Sequence, residues 1–420
     1  MKKTKSITNH MSRNSFVIQP WPWIISLIII GVLCENIKIF DVMGAPFKLD
    51  HIIFLLAIIV TGIHIKLKRL FAGILLIVLP CLCLYRIGDK GEWLKSYIGY
   101  LFLVTFLIFV FPKFLREFKR NHTYYLRLLL KTIAFAQILG VIQFFCMNLF
   151  NVFFLQDVFG VFQFHKNVFD MTNGLYRTFS VYHEPSFFGL VTITSITTLF
   201  VAERTILTRR EFAFFGILNL LSVFISLSAS CMLIALTLLF FYQFIMRKNI
   251  LIKVLFMLVV AGGIVGMAYF TQVLAPVQRI HEIGIENSSG YERITSQWLY
   301  VKKTLQYYPL LGRGIGQEGN VDAVGIVGLY SAMHNSLAGV IVHFGLSALL
   351  FVLPLISLLA GKLKSNPLWG LITVAILGIY VSTGAYLSVD TFCMVILLVA
   401  VGNSCLDQRI GPSFDQQEIL

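Results

Sequence analysis

Apolar residues in this chain come in uninterrupted blocks, not in the alternation of a half-buried strand. Blocks of roughly 15–20 residues without charge match the thickness of a bilayer's hydrocarbon core. Twelve blocks can be counted, centred near Ile28, Ala57, Leu76, Thr105, Ile138, Ile196, Asn219, Thr237, Val260, Leu346, Ala375 and Ile396. The seventh and eighth are divided only by the Ser226–Ser230 stretch. A soluble chain of this length would hold two or three domains. The block pattern predicts instead one membrane domain over residues 1–420, an all-α polytopic bundle of about 12 transmembrane helices.

Most connections between blocks are short, and two are long: Met147–Ser186 and Thr271–Met333. Long loops on a compact scaffold are where function concentrates. The first is rich in phenylalanine (Phe150, Phe153, Phe154, Phe159, Phe162, Phe164, Phe169), which suits a helix lying in the membrane interface or a loop anchored at the headgroups. The second predicts a helix over Glu292–Tyr307. Ile294, Trp298, Val301 and Leu305 fall on one face of it, and Arg293, Gln297 and Tyr300 on another. Pro309 and Gly312 stop it.

Composition agrees with the blocks. The chain is 57% hydrophobic and only 13% charged, with a mean hydropathy of +0.82, against about 25% charged residues in soluble domains. The net charge of +14 would suggest nucleic acid in a soluble protein, but no basic run interleaved with aromatics forms such a groove. The positive-inside rule explains it instead. With the N-terminus inside, 22 of the 34 basic residues fall on the cytoplasmic side and 14 of the 20 acidic residues on the outer side. Both termini, including the polar tail 405–420, are expected in the cytoplasm, and both long loops outside. The basic start (Lys2, Lys3, Lys5, Arg13) and first apolar block lack a small-residue cleavage site before Glu35, so the block is expected to be a retained span. Seven cysteines without CxxC or zinc spacing read as small buried hydrophobes, and their odd number excludes a full disulfide framework. The spans carry almost no acids or bases; Lys131, His343, Gln137 and Gln143 are the main polar groups. That scarcity argues against ion-coupled transport and sends chemistry to the outer face.

Three constellations could carry it. Gly174–Ser186 (GLYRTFSVYHEPS) brings Arg177, His183 and Glu184 to the start of the sixth span. An arginine there can clamp a phosphate, and a carboxylate against apolar surface is tuned for proton transfer. The plainer alternative is an Arg177–Glu184 interfacial ion pair. Gly290–Trp298 and Tyr308–Gly316 (YPLLGRGIG) supply Arg293 and Arg313 beside glycines whose N–H groups could approach an anion, or which simply punctuate turns. This is neither a Rossmann nor a P-loop signal. His334-Asn335 opens the tenth span, with Gly345 ten residues after Asn335. A histidine at that position suits general-base work, or can snorkel to the headgroups.

In content and order these three regions resemble the O-antigen polymerase and O-antigen ligase superfamily of bacterial membrane glycosyltransferases. The resemblance covers roughly Gly174–Leu350, and beyond it the spans match in hydropathy alone. It implies an all-helical, GT-C-like glycosyltransferase fold, undecaprenyl-diphosphate-linked oligosaccharide as substrate, and no metal or other cofactor. Its setting is the bacterial cytoplasmic membrane, with membrane lipid and a chain-length regulator as further partners and no nucleic acid. The site it implies has Arg177, Arg293 and Arg313 on the diphosphate and His334 or Glu184 as base, with Tyr176, His183 and Asn335 positioning the substrate. Ala348, three positions after Gly345, reads as a mild departure from the ligase pattern and slightly weakens the ligase alternative. A flippase of the same lipid-linked sugar is the alternative of another class.

Overall fold

A computed structural model describes residues 20–34, 37–42, 45–61, 67–86, 90–153, 171–172, 175–182, 184–202, 206–246, 285, 291, 295–317, 335–383 and 388–406. It is mostly helical. The α-helices are α1 (Trp21–Gly31), α2 (Leu49–Thr61), α3 (Leu67–Val78), α4 (Lys90–Thr105), α5 (Phe111–Arg120), α6 (His122–Phe150) and α7 (Pro185–Ala202). They continue with α8 (Arg209–Ile225), α9 (Ala229–Met246), α10 (Thr295–Tyr307), α11 (Ser336–Phe344), α12 (Leu349–Ser365), α13 (Trp369–Ser382) and α14 (Val389–Cys405). Two small antiparallel hairpins depart from the all-α expectation: β1 (Lys38–Val42) with β2 (Ala45–Lys48), and β3 (Met171–Thr172) with β4 (Leu175–Tyr176).

Ten of the twelve block centres lie in α-helices, and Leu346 lies in a 3-10 segment, Gly345–Ala348. Val260 is outside the described residues. Among the described residues three helices are long and apolar enough to cross a membrane: Lys90–Arg120, His122–Phe150 and Pro185–Ala202. Six shorter apolar helices accompany them. The tenth block is not one straight span. Its α-helical geometry ends at Gly345 (φ +57°), and the segments Ser336–Ala348 and Val352–Ser365 meet at 103°.

Local sequence explains several of these shapes. Lys90–Arg120 stays continuous through a π segment, Phe106–Val110, immediately before Phe111-Pro112. A helical proline clashes with the carbonyl four residues back, and the wider π turn absorbs that clash. Thr208 and Glu211 form a capping box at the start of α8. Helix α7 is apolar on every side and lies at the centre, packed on α6, α8, α9, α13 and α14. Four of its hydroxyls are satisfied within the helix: Thr192, Thr194, Thr197 and Thr198 each donate to the carbonyl four residues back. Small residues let neighbours close on it. Cys231 packs on Gly189, and the Phe188 ring packs on Gly140. All seven cysteines are free, as their pattern suggested.

Candidate functional site

The first motif is an extended segment threaded between α6 and the turn that joins α8 to α9. Asn148 brackets Tyr176, accepting from its N–H (2.7 Å) and donating to its carbonyl (3.1 Å). The Thr178 N–H donates to the Ile225 carbonyl, and Arg177 Nε donates to the Ser226 carbonyl at 3.3 Å. Gln143 Oε1 accepts from the N–H groups of Phe179 (3.2 Å) and Ser180 (2.7 Å). The Ser180 hydroxyl donates to the Ala136 carbonyl. Ser180 and Leu227, one on each side of this contact, have φ of +55° and +47°. Left-handed backbone at non-glycine residues persists only where the surroundings over-determine it. Arg177 is thereby buried, 7% exposed, at a strained seam held by backbone hydrogen bonds.

Gln143, noted in the sequence only as a polar group at depth, is the acceptor that shapes this motif. Gln143→Leu leaves two buried N–H groups unsatisfied, at roughly 1–3 kcal/mol each. The variant is expected to melt several degrees below the native protein in detergent; an unchanged midpoint would remove Gln143 from this role.

Glu184 stands at the N-terminus of α7, where its carbonyl accepts from Phe187 and Phe188 and its carboxylate accepts the Ser186 hydroxyl at 2.6 Å. It is exposed, not pressed against an apolar wall. His183 lies outside the described residues.

The second and third motifs meet each other. Helix α10 ends at Tyr307 and α11 at Phe344, and each end leaves carbonyls without intrahelical donors. The loop after α10 caps α11, and the chain after α11 bonds back to that loop. Arg313 and Gly314 N–H groups donate to the Val342 and His343 carbonyls at the end of α11 (2.8 and 3.1 Å). Leu346 and Ser347 N–H groups donate to the Pro309 and Leu310 carbonyls after α10 (2.7 and 3.0 Å). Gly312 (φ +61°) and Gly345 (φ +57°) face one another where the two segments cross. A Cβ on Gly312 would sit 2.6 Å from the Gly345 nitrogen, and one on Gly345 would sit 2.6 Å from the Gly312 nitrogen. These glycines do more than punctuate turns, because only a bare backbone can cross there.

Arg313 is held by this crossing. It is 8% exposed, and its guanidinium lies 5.3 Å from the centre of the Tyr300 ring on α10. Tyr300 was not singled out as a site residue, although Gln297 and Tyr300 were placed together on one face. Burial takes residues from both faces: Ser296, Gln297, Tyr300, Val301 and Thr304 are buried, while Trp298 is 46% exposed. The described part of the expected helix runs Thr295–Tyr307; Glu292, Arg293 and Ile294 lie outside the described residues. Asn335 is buried and caps α11, its Oδ1 accepting from Leu337 and Ala338 N–H groups (3.0 and 3.2 Å). His334 lies outside the described residues. Ser336 bonds the Thr383 carbonyl at the end of α13, and α13 packs on α7, so the two halves of the site share one scaffold.

The profile of the WcaD colanic acid polymerase family matches residues 24–403, nearly the whole chain and all three motif regions. The chain belongs to the WcaD colanic acid polymerase family. No curated protein and no solved structure is significantly similar to it. Membership makes this an integral membrane polymerase of polysaccharide repeat units, a glycosyltransferase-type enzyme acting on lipid-linked oligosaccharide. It agrees with the resemblance to the O-antigen polymerases drawn from the motifs. Within the family frame, the described arginines occupy two places: Arg177 at the Ser226 turn and Arg313 at the α10–α11 crossing.

One buried cluster had no counterpart in the sequence reading. Lys48 Nζ pairs with Asp390 Oδ2 at 3.0 Å, and Asp50 Oδ1 accepts from the His51 N–H and contacts His51 Nδ1, both at 2.8 Å. The Asp50 carboxyl group also shares a side-chain hydrogen bond with Asp390, so the two acids lie against each other. Both carboxyl groups line a small void together with Phe187 of α7. Asp50 and Asp390 lie in the first turns of helices α2 and α14. Among the described residues no three His, Cys, Asp or Glu side chains are grouped to hold a metal.

Proposed function

We propose that this protein polymerises undecaprenyl-diphosphate-linked repeat units of an O-antigen, capsule or exopolysaccharide, such as colanic acid. The growing chain is transferred onto a new repeat at the outer face of the cytoplasmic membrane. Both termini face the cytoplasm, and the segments around residues 147–186 and 271–333 face outward. The observation that carries this reading is the family match across the whole motif region. The rigid placement of Arg177 and Arg313 by backbone hydrogen bonds supports it.

The chemistry follows from the donor. Its leaving group is a lipid diphosphate, which needs charge neutralisation more than protonation. Arg177, Arg293 and Arg313 supply that neutralisation without a metal. The acceptor sugar hydroxyl needs a base. His334 takes that role, because an unperturbed imidazole pKa of about 6.5 lies near working pH. Glu184 is the competing base. Tyr176 and His183 flank the first motif and position the sugar; Asn335 positions His334 through the start of α11.

The test is polymerisation by purified protein on a lipid-linked repeat, with EDTA present. His334→Ala is expected to fold, bind donor and slow turnover at least about a hundredfold, within the usual general-base contribution. Arg177→Lys is expected to be impaired as well as Arg177→Ala, since lysine keeps charge but loses the planar fork. Normal turnover in His334→Ala with collapse in Glu184→Gln moves the base to Glu184. A strict Mg²⁺ requirement defeats the arginine-only account. In cells, deletion should leave single-repeat products; full-length polymer stranded on the carrier lipid would mark a ligase.

A further inference from the structure

A cavity of about 610 Å³ lies at the turn between α5 and α6, far in sequence from the polymerase motifs. Its walls carry three cations, Arg120, Arg127 and Lys131, with His122, Tyr124 and Leu128. Two carboxylates answer them. Glu117 pairs with Arg120 at 2.8 Å, and Glu211 of α8 lies 3.6 Å from Arg127. Arg127 also donates through Nη2 to the Ile206 carbonyl at 3.0 Å, while its Nε is enclosed with no hydrogen-bond partner among the described residues. Lys131 is exposed. The N-terminus of the long helix α6 opens into the same space, and its unpaired N–H groups favour an anion.

Depth and direction identify the ligand's source. From Thr132 to Phe150, α6 carries no charge. At 1.5 Å per residue that length is about 28 Å, the thickness of the hydrocarbon core. Lys131 therefore stands at the edge of that core, and Arg120–Arg127 stand at headgroup depth. On α6, Phe135, Ile138, Ile142, Phe145 and Leu149 form one exposed apolar stripe, at alternating spacings of four and three. Continued backwards, the same spacing reaches Lys131, Leu128 and Tyr124, all in the cavity wall. The cavity opens onto the lipid-facing side of the helix.

We infer that this cavity holds the phosphate of an anionic membrane phospholipid, its acyl chains lying along the Phe135–Leu149 stripe. A soluble anion would satisfy the cations equally, but nothing in its chemistry would use the adjoining apolar stripe. Basic pockets between membrane helices are suited to such headgroups.

The experiment is native mass spectrometry of the full chain purified in mild detergent, followed by titration in nanodiscs of phosphatidylglycerol or phosphatidylcholine. The native protein is expected to retain an anionic glycerophospholipid. Arg127→Gln with Lys131→Gln should lower its occupancy roughly tenfold or more. Leu128→Trp keeps every charge but fills the cavity, and should lower occupancy similarly; it decides the matter if the charge variant does not fold. Arg116→Gln with Lys119→Gln removes the same charge from the exposed face of α5 and should retain the lipid. Undiminished occupancy in Leu128→Trp overturns the inference. So does an equal loss in the Arg116/Lys119 variant, which would indicate a diffuse basic belt. Displacement of the lipid by millimolar inorganic phosphate would make this a site for a soluble anion instead.

Discussion

Gly312→Ala is expected to abolish polymerisation. A methyl group at this position would sit 2.6 Å from the Gly345 nitrogen and the His343 carbonyl carbon, and would press into the Val342 carbonyl oxygen. All three are backbone atoms of the break between α11 and α12, and no rotamer change can relieve them. The left-handed φ of +61° adds about 1–2 kcal/mol for any L side chain. The segment must therefore leave α11, and with it go the Arg313 and Gly314 hydrogen bonds that cap the helix. Arg313 then loses its fixed place over Tyr300. If Arg313 contacts the donor diphosphate, a displacement of about 1 Å suffices for a loss on the order of a hundredfold. The control is Gly361→Ala on α12, where an added Cβ meets nothing within 4 Å. Polymer yield within twofold of native in Gly312→Ala, at equal protein level, would show that the crossing does not serve the reaction.

Lys48→Ala should be among the most destabilising single changes in the molecule. Lys48 and Asp390 are both largely buried, with side-chain exposures of 15% and 6%, and their ion pair ties the β1–β2 hairpin to the start of α14. Ser388 adds a second hydrogen bond to the same carboxylate oxygen, at 2.8 Å. Removing one partner strands a charge away from water, at about 3–5 kcal/mol. Removing both with apolar groups of similar size leaves no unpaired charge of the pair, although Ser388 and Asp50 lose the carboxylate they bond. The double variant Lys48→Met with Asp390→Leu should therefore recover part of the loss. Thermal unfolding of the three purified variants in one detergent measures this. Single variants within about 1 kcal/mol of native, or a double variant no better than either, would mean that the pair contributes only as a surface salt bridge does.

The membrane class and most helix positions were legible in the sequence because bilayer hydropathy is a local, additive property of a block. Ile138 and Ile196 each sit in a helix whose existence needs no knowledge of its neighbours. The motif segments and their order could also be read along the chain, since Arg177, Arg313 and Asn335 sit in short runs whose residue types announce caps, turns and anion contacts.

What the residues at those positions touch was settled only by tertiary structure. The tenth block reads as one span, yet Ser336–Ala348 and Val352–Ser365 meet at 103°, and at Gly345 the loop after α10 crosses it backbone against backbone. Periodicity finds two faces of α10 without deciding which is buried. Packing on α11 buries Gln297 and Tyr300 from one face together with Val301 from the other. Gln143 became an acceptor for Phe179 and Ser180, and Lys48 found Asp390 across 342 positions of chain. Hydropathy responds to the solvent around each segment. Hydrogen bonds and ion pairs depend on which distant groups are brought within about 3 Å, and only the folded chain sets that distance.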